Sequence, residues 1–318
     1  MTRALITGIS GQDGSYLAEQ LLSTGVEVHA LHHADESAAP PYCPDEVVVH
    51  VGDVTDHEAT RRLVLDLAPD EVYNLAAVSS VARSWDAPDL VAAVNGRAAV
   101  ALMESALSAQ RATDRVVRFV QASSAEIFGQ PDRSPQDERT PIRPTNPYGV
   151  AKAHAHEMLD VLRRRGLHAT SVILYNHESP RRPPHFVTRK ITATVAAISR
   201  GRADRLVLGN LDARRDWGWA PDYVDAMTRA ARAAEAQDFV VATGVSHSVR
   251  EFVAAAFTHA GIDDWEPLVT TDPGLLRPAD AVELRGDASR ARQVLGWSPT
   301  LGFEQLVARM VDADLQVA

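Results

Sequence analysis

Through the first half of the chain, short apolar runs alternate with amphipathic stretches. Arg3 to Thr7 is apolar enough for a buried strand, and Ser15 to Thr24 has the spacing of a helix. Val26 to Leu31 and Glu46 to Val51 are predicted strands, followed by a helix over Thr55 to Leu67 and a strand over Glu71 to Leu75. Pro88 to Ala109 is predicted as a long helix, and Arg115 to Ser123 as the next strand. Strands alternating with helices give βαβ units on a parallel sheet. Right-handed crossovers make that sheet doubly wound, with its ligand site at the carboxyl ends of the strands.

From about Val150 the pattern changes. One more helix and strand run to Tyr175, and then come Pro- and Arg-rich loops, Ser179 to Pro184 and Pro273 to Pro278. Short helices are expected at Val249 to Ala260 and Ala288 to Leu295. This predicts a cofactor-type domain over 1–175, with later segments returning to it, and a smaller α/β substrate-binding domain over 176–318. Ala34 to Pro44, rich in Ala and Pro, is expected to be a surface loop.

The chain has 318 residues and a formal charge of -10, which argues against a general nucleic-acid binder, whose footprint is basic. Cys43 is the only cysteine, so no intrachain disulfide forms, and a reducing cytoplasm is the expected location. Neither a signal peptide nor a membrane-spanning segment is expected, and no metal-ligand cluster stands out.

Thr7-Gly8-Ile9-Ser10-Gly11-Gln12-Asp13-Gly14 follows the first strand and opens the first helix. Glycines 8, 11 and 14 allow a tight turn, close approach of a pyrophosphate and close helix–strand packing. The diphosphate then sits on the helix N-terminus, where free N–H groups and the dipole favour an anion. This is a dinucleotide fingerprint, and with the alternation it makes the fold Rossmann-type. Asp53 and Val54 follow the third strand, where the carboxylate would accept from an adenine amino group. Leu75, Ala76 and Ala77 follow the fourth, with small side chains where a cofactor needs backbone access. After the second strand stands His32-His33, so neither the acidic signature of NAD nor the Arg signature of NADP is present.

Tyr148 and Lys152 are spaced i,i+4 and share one helix face. An adjacent ammonium favours the phenolate, so the Tyr can take a proton from a sugar hydroxyl as hydride leaves. Ser124 ends the preceding strand with a hydroxyl for the same sugar oxygen. Glu126 adds a carboxylate: a ketone at C4 acidifies the C5 hydrogen, the carboxylate removes it, and the C6 hydroxyl departs as water.

Seven stretches and one residue set now stand together: Gly8 to Glu19, Pro69 to Leu75, the set Ser124, Glu126, Tyr148 and Lys152, Asn176 to Arg182, Phe186 to Lys190, Gly209 to Gly218, Phe239 to Arg250 and Arg277 to Asp287. Together they resemble the GDP-mannose 4,6-dehydratase family of extended short-chain dehydrogenase/reductases, and the likeness covers nearly the whole chain. The resemblance implies a tightly held NADP or NAD, a GDP-sugar substrate and a homodimer or homotetramer. It implies Tyr148 as the base at O4, Lys152 as its partner and a ribose ligand, and Glu126 as the C5 base. Ser79, Asn176, Glu178, Arg182, Val187, Lys190, Arg215 and Arg277 fall where the family meets its nucleotide substrate. Ser124 stands where the family has Thr, Ala125 where it has Ser, His32-His33 where it has basic residues ending in Arg-Arg, and Leu276 where it has an aromatic residue. Two other readings compete: another sugar-nucleotide enzyme (an epimerase, a 4-keto reductase or a dehydratase of a different sugar nucleotide, such as a heptose), and an inactive dinucleotide-binding sensor.

Overall fold

The fold was obtained as a computed structural model, which describes residues 2–33, 40, 42–276, 279 and 281–317. Seven strands form one all-parallel sheet: β1 (Arg3–Thr7), β2 (Glu27–His32), β3 (Val48–Val51), β4 (Glu71–Asn74), β5 (Arg118–Ser124), β6 (His168–Leu174) and, from much later in the chain, β10 (Phe239–Val241). Their order is β10-β6-β5-β4-β1-β2-β3. The chain reverses direction across the sheet between β1 and β4, which opens the ligand crevice beyond Thr7 and Asn74.

Both faces are covered, as a parallel sheet requires. Helices α1 (Gln12–Ser23) and α8 (Ala220–Ala231) cover one face, where Leu17, Leu21, Val224 and Met227 pack on Ile6, Val120 and Val172. On the other lie α2 (His57–Leu67), α5 (Ala99–Thr113) and α6 (Pro147–Arg164), with Leu102, Met103 and Leu159 against Leu5, Val72 and Phe119. Each such side chain contributes about 1.5–3 kcal/mol by leaving water. Between β4 and α5 run α3 (Val81–Asp86) and α4 (Pro88–Val91).

A second sheet is built around β9 (Arg214–Trp219). It pairs antiparallel with β11 (Ser246–Ser248) and parallel with both β7 (Asn176–Glu178) and β13 (Glu283–Leu284). Two further strands, β8 (Leu206–Leu208) and β12 (Val269–Thr271), pair parallel. Helices α7 (Val187–Ser199), α9 (Val249–His259) and α10 (Phe303–Val317) close a separate core around Trp217, Phe252 and Met310.

Several element boundaries differ from the sequence expectation. The first helix begins at Gln12, not Ser15, because Gly11 is its N-cap and the glycine motif itself forms the first turn. The long helix runs past Ala109 to Thr113 and contains a π-helical segment, Ala92–Ala98, which the apolar spacing did not reveal. Asp114 then takes a left-handed φ of 53° and ends it, so the following strand starts at Arg118 rather than Arg115. Over Ala288 to Leu295 the regular element is a π turn confined to Ala291–Leu295. The expected loop at Ala34 to Pro44 falls largely outside the described residues. By length and hydropathy alone, Pro88–Thr113 is apolar enough to cross a membrane, but over half of its most apolar window is buried inside this fold.

Candidate active site

The glycine turn fits a dinucleotide by what it leaves no room for. Gly8 has φ +80°, and a Cβ on it would lie 2.8 Å from the Ala76 nitrogen; one on Gly14 would lie 2.3 Å from the Gly8 carbonyl oxygen. Gly11 caps α1 without a side chain, so the first-turn N–H groups have no capping acceptor. Ser10 lies in the turn itself. Across from it, Thr7 donates to Asn74 Oδ1 at 2.7 Å and accepts from the Ala76 nitrogen at 3.2 Å. These bonds hold the end of β4, and with it Leu75 to Ala77, against the turn. Asp53 accepts from the Thr55 nitrogen at 2.8 Å, and its other oxygen lies 3.5 Å from His33 Nε2. His32 is buried at the end of β2, with Val54 half-buried nearby.

Beyond the carboxyl ends of β4, β5 and β6 opens a cavity of about 310 Å³ between the two sheets. Ser124, Glu126, Tyr148 and Lys152 all line it. The Ser124 hydroxyl lies close enough to the Tyr148 phenol to favour its phenolate and accepts from the Glu126 nitrogen at 3.2 Å, starting a 3-10 turn over Ala125–Phe128. Lys152 donates to the Ala122 carbonyl at 2.8 Å, with its ammonium 5.8 Å from the centroid of the Tyr148 ring. Burial pushes the phenol up to about 12, against the pull of the Ser124 hydrogen bond, and the Glu126 carboxylate adds to the rise. Burial likewise draws the Lys152 ammonium down to about 8, opposed by the Asp13 carboxylate. A cation bound beside the phenol would reverse its shift, because opposite charge favours the phenolate.

The substrate side is carried by β7, β9 and the segment before α7. Asn176 pairs in register with Trp217, and Ala213, Arg215 and Trp217, alternate residues of β9 and the turn before it, reach the same cavity. Arg215 is buried and held in place by donating Nη1 to the Arg214 and Ala281 carbonyls at 2.7 and 2.8 Å. Ser79, Asn176, Glu178, Arg182 and Val187 also line the cavity. Glu178 is only 2% exposed and is committed within the protein. It accepts from Thr188 at 2.7 Å and lies 3.2 Å from Arg182 Nε, whose guanidinium stacks 3.7 Å over Phe186. The carboxylate therefore aims the arginine. Lys190, one turn further along α7, does not line the cavity, and Arg277 lies outside the described residues. Burial and the nearby Arg182 and Arg83 keep His185 below its ordinary pKa, which favours its neutral form. Among the described residues no cluster of His, Cys, Asp or Glu is arranged for a metal ion.

Three residues escaped the sequence reading. Asn146 donates to Glu126 Oε2 at 2.8 Å and caps α6 at Gly149; its one sequence signal was an Asn before a Pro at a helix start. His177 bonds Asp13 across 164 residues, and nothing local announces that pairing. Trp217 lines the cavity with a buried indole N–H that has no acceptor among the described residues.

A Rossmann-type sheet with a glycine-lined helix start, a Tyr–Lys pair and a carboxylate on one cavity defines an extended short-chain dehydrogenase/reductase. The UDP-glucose 4-epimerase of Thermus thermophilus, solved in complex with NAD, superposes with a TM-score of 0.86 at 27% identity over 100% of both chains. The dTDP-glucose 4,6-dehydratase DesIV of Streptomyces venezuelae shares the fold, with a TM-score of 0.85 at 22% identity over 98% of this chain and 96% of that one. The family model described as GDP-mannose 4,6 dehydratase matches residues 5–310. GDP-mannose 4,6 dehydratase 1 of Arabidopsis thaliana is 43% identical over 99% of this chain and 90% of its own length. The human GDP-mannose 4,6 dehydratase is 40% identical over 99% and 91%. The chain belongs to the GDP-mannose 4,6-dehydratase family.

Proposed function

We propose that the chain converts GDP-mannose to GDP-4-keto-6-deoxymannose with bound NADP or NAD. The observation that carries this reading is the meeting of Ser124, Glu126, Tyr148 and Lys152 on one cavity, beside a turn too tight for any residue but glycine. Gly8 to Gln12, Gly14, Asp53 and Leu75 to Ala77 would hold the dinucleotide, with Lys152 on its ribose. When bound, it supplies the oxidised ring that accepts hydride from C4 and later returns it to C6.

The protein's own groups move the protons. Tyr148 takes the proton from O4, with the Ser124 hydroxyl on the same oxygen and the Lys152 charge favouring the phenolate. The C4 ketone acidifies C5, and Glu126 removes that proton. Because position 125 is alanine, Glu126 alone passes the proton to the departing C6 hydroxyl, which leaves as water. The proton taken at O4 equals the one C5 regains, so the enzyme ends the cycle in its starting protonation state. Arg182 and Arg215 supply guanidinium groups suited to a diphosphate. Asn176 supplies an amide beside them. An epimerase needs the Tyr–Lys pair but no carboxylate at 126. Glu126→Gln is expected to keep isotope exchange at C4 and lose water elimination; full turnover in that variant would remove the dehydratase mechanism.

We further infer a homodimer through α3, α4 and α6. Trp85, Leu90, Val150 and Val161 are 38–54% exposed there, flanking a groove that includes Gly96 and His154.

A further inference from the structure

Asp13 sits in the first turn of α1, the helix end that the glycine turn leaves open for an anion. It is half-buried, and it does not face that space as a free carboxylate. His177 Nε2 lies 2.8 Å from Asp13 Oδ2, and His177 Nδ1 lies 2.7 Å from the Tyr175 carbonyl oxygen. Both neighbours are acceptors, so beside an ionised Asp13 both ring nitrogens must carry protons, and the ring is an imidazolium. Burial works against that charge, but the Asp13 carboxylate overrides it, and His177 titrates above its ordinary value while Asp13 titrates below its own. The ring stacks on Tyr223 with centroids 4.5 Å apart. Two further bonds tie the same segments together: Gln12 donates to the His177 carbonyl at 3.2 Å, and Ser179 donates to Gln12 Oε1 at 2.8 Å.

An ionised carboxylate beside a bound diphosphate would repel it at such short range. A cation bonded to that carboxylate removes the conflict. We propose that His177, carried on the substrate-side strand β7, neutralises Asp13 and so frees the start of α1 for the dinucleotide's diphosphate. His177 is thus a positioning residue for the cofactor. The inference rests on the reading of Gly8 to Gly14 as the dinucleotide site. It also makes the turn and β7 one bolted unit, so the strand that brings Asn176 to the cavity is registered against the cofactor.

The test is the dissociation constant of NADP+ and NAD+ for cofactor-free full-length protein, measured by titration calorimetry. His177→Gln leaves Asp13 charged without its cation and is expected to weaken binding at least ten-fold. Asp13→Asn keeps the shape, removes the charge and is expected to bind as tightly as wild type or more so. The double variant is expected to recover most of the loss seen in His177→Gln. Wild-type affinity in His177→Gln, or a ten-fold loss in Asp13→Asn, would overturn the inference and leave the dinucleotide site standing. No binding of either dinucleotide by the wild type would overturn the site and the inference together.

Discussion

A single amide joins the two halves of the catalytic constellation: Asn146 Nδ2 donates to Glu126 Oε2 at 2.8 Å, and Asn146 Oδ1 accepts from the Gly149 nitrogen at 2.8 Å. The helix carrying Tyr148 and Lys152 and the carboxylate assigned to C5 are thereby fixed relative to each other. Asn146→Asp keeps a good N-cap but replaces the donor with a second carboxylate. It is expected to set two like charges against each other and to slow water elimination about ten-fold or more, while C4 oxidation persists. Single-turnover measurement of the two steps checks this, and equal slowing of both would contradict it. Asn146→Ala also removes the cap and should cost about 0.5–2 kcal/mol of stability.

Gly149 permits the same contact by its size. A Cβ there would lie 2.5 Å from the Glu126 carbonyl oxygen, so Gly149→Ala must push the 3-10 turn away from α6. The expected cost is about 1–3 kcal/mol, with a loss of turnover larger than the stability change explains. A thermal melt paired with kcat checks it, and an unchanged kcat would show that Glu126 tolerates the displacement.

The pair of Asp13 and His177 predicts a pH window for stability. The folded value of His177 is raised, so its contribution is full below the unfolded value of about 6.5 and is lost as pH rises through the folded value. For Asp13 the folded value is lowered, so its contribution is present above about 3.9 and lost as pH falls through the folded value. Between roughly pH 4 and 6.5 both are present. Raising the pH from about 6 to about 9 should therefore lower the wild-type Tm more than that of His177→Gln. Parallel Tm curves for the two proteins would contradict the pairing.

Val150 lies on the exposed face of α6, 54% exposed and one turn from Asn146. Val150→Asp at a dimer contact should shift sedimentation at micromolar concentration from dimer to monomer. A wild type that sediments as a monomer would remove the dimer.

Much of this site was legible because it is local. The glycine turn, the i,i+4 spacing of Tyr148 and Lys152, and Ser124 and Glu126 at a strand end each need only a short window of sequence. What was not legible depends on pairing at a distance or on competition for one group. Asp13 was assigned to the cofactor from its place in the motif, yet its carboxylate is taken by a histidine from the other half of the chain. Glu178 was assigned to substrate, yet Thr188 and Arg182 occupy it. Lys190 was carried over by motif, and it is not among the residues that line the cavity. The π segment at Ala92–Ala98 packs on α6, where a Cβ on Gly96 would lie 3.3 Å from the His154 ring, and no local spacing in the sequence announces it.

The central claim is a dehydration with internal return of hydride. Its most direct test is mass spectrometry of the purified protein incubated with GDP-mannose and no added reductant, followed by borodeuteride. The predicted result is loss of one water and a C4 carbonyl that takes up deuterium, with the water loss absent in Glu126→Gln. Unchanged mass with GDP-mannose, or an epimerised product of the same mass, would contradict it.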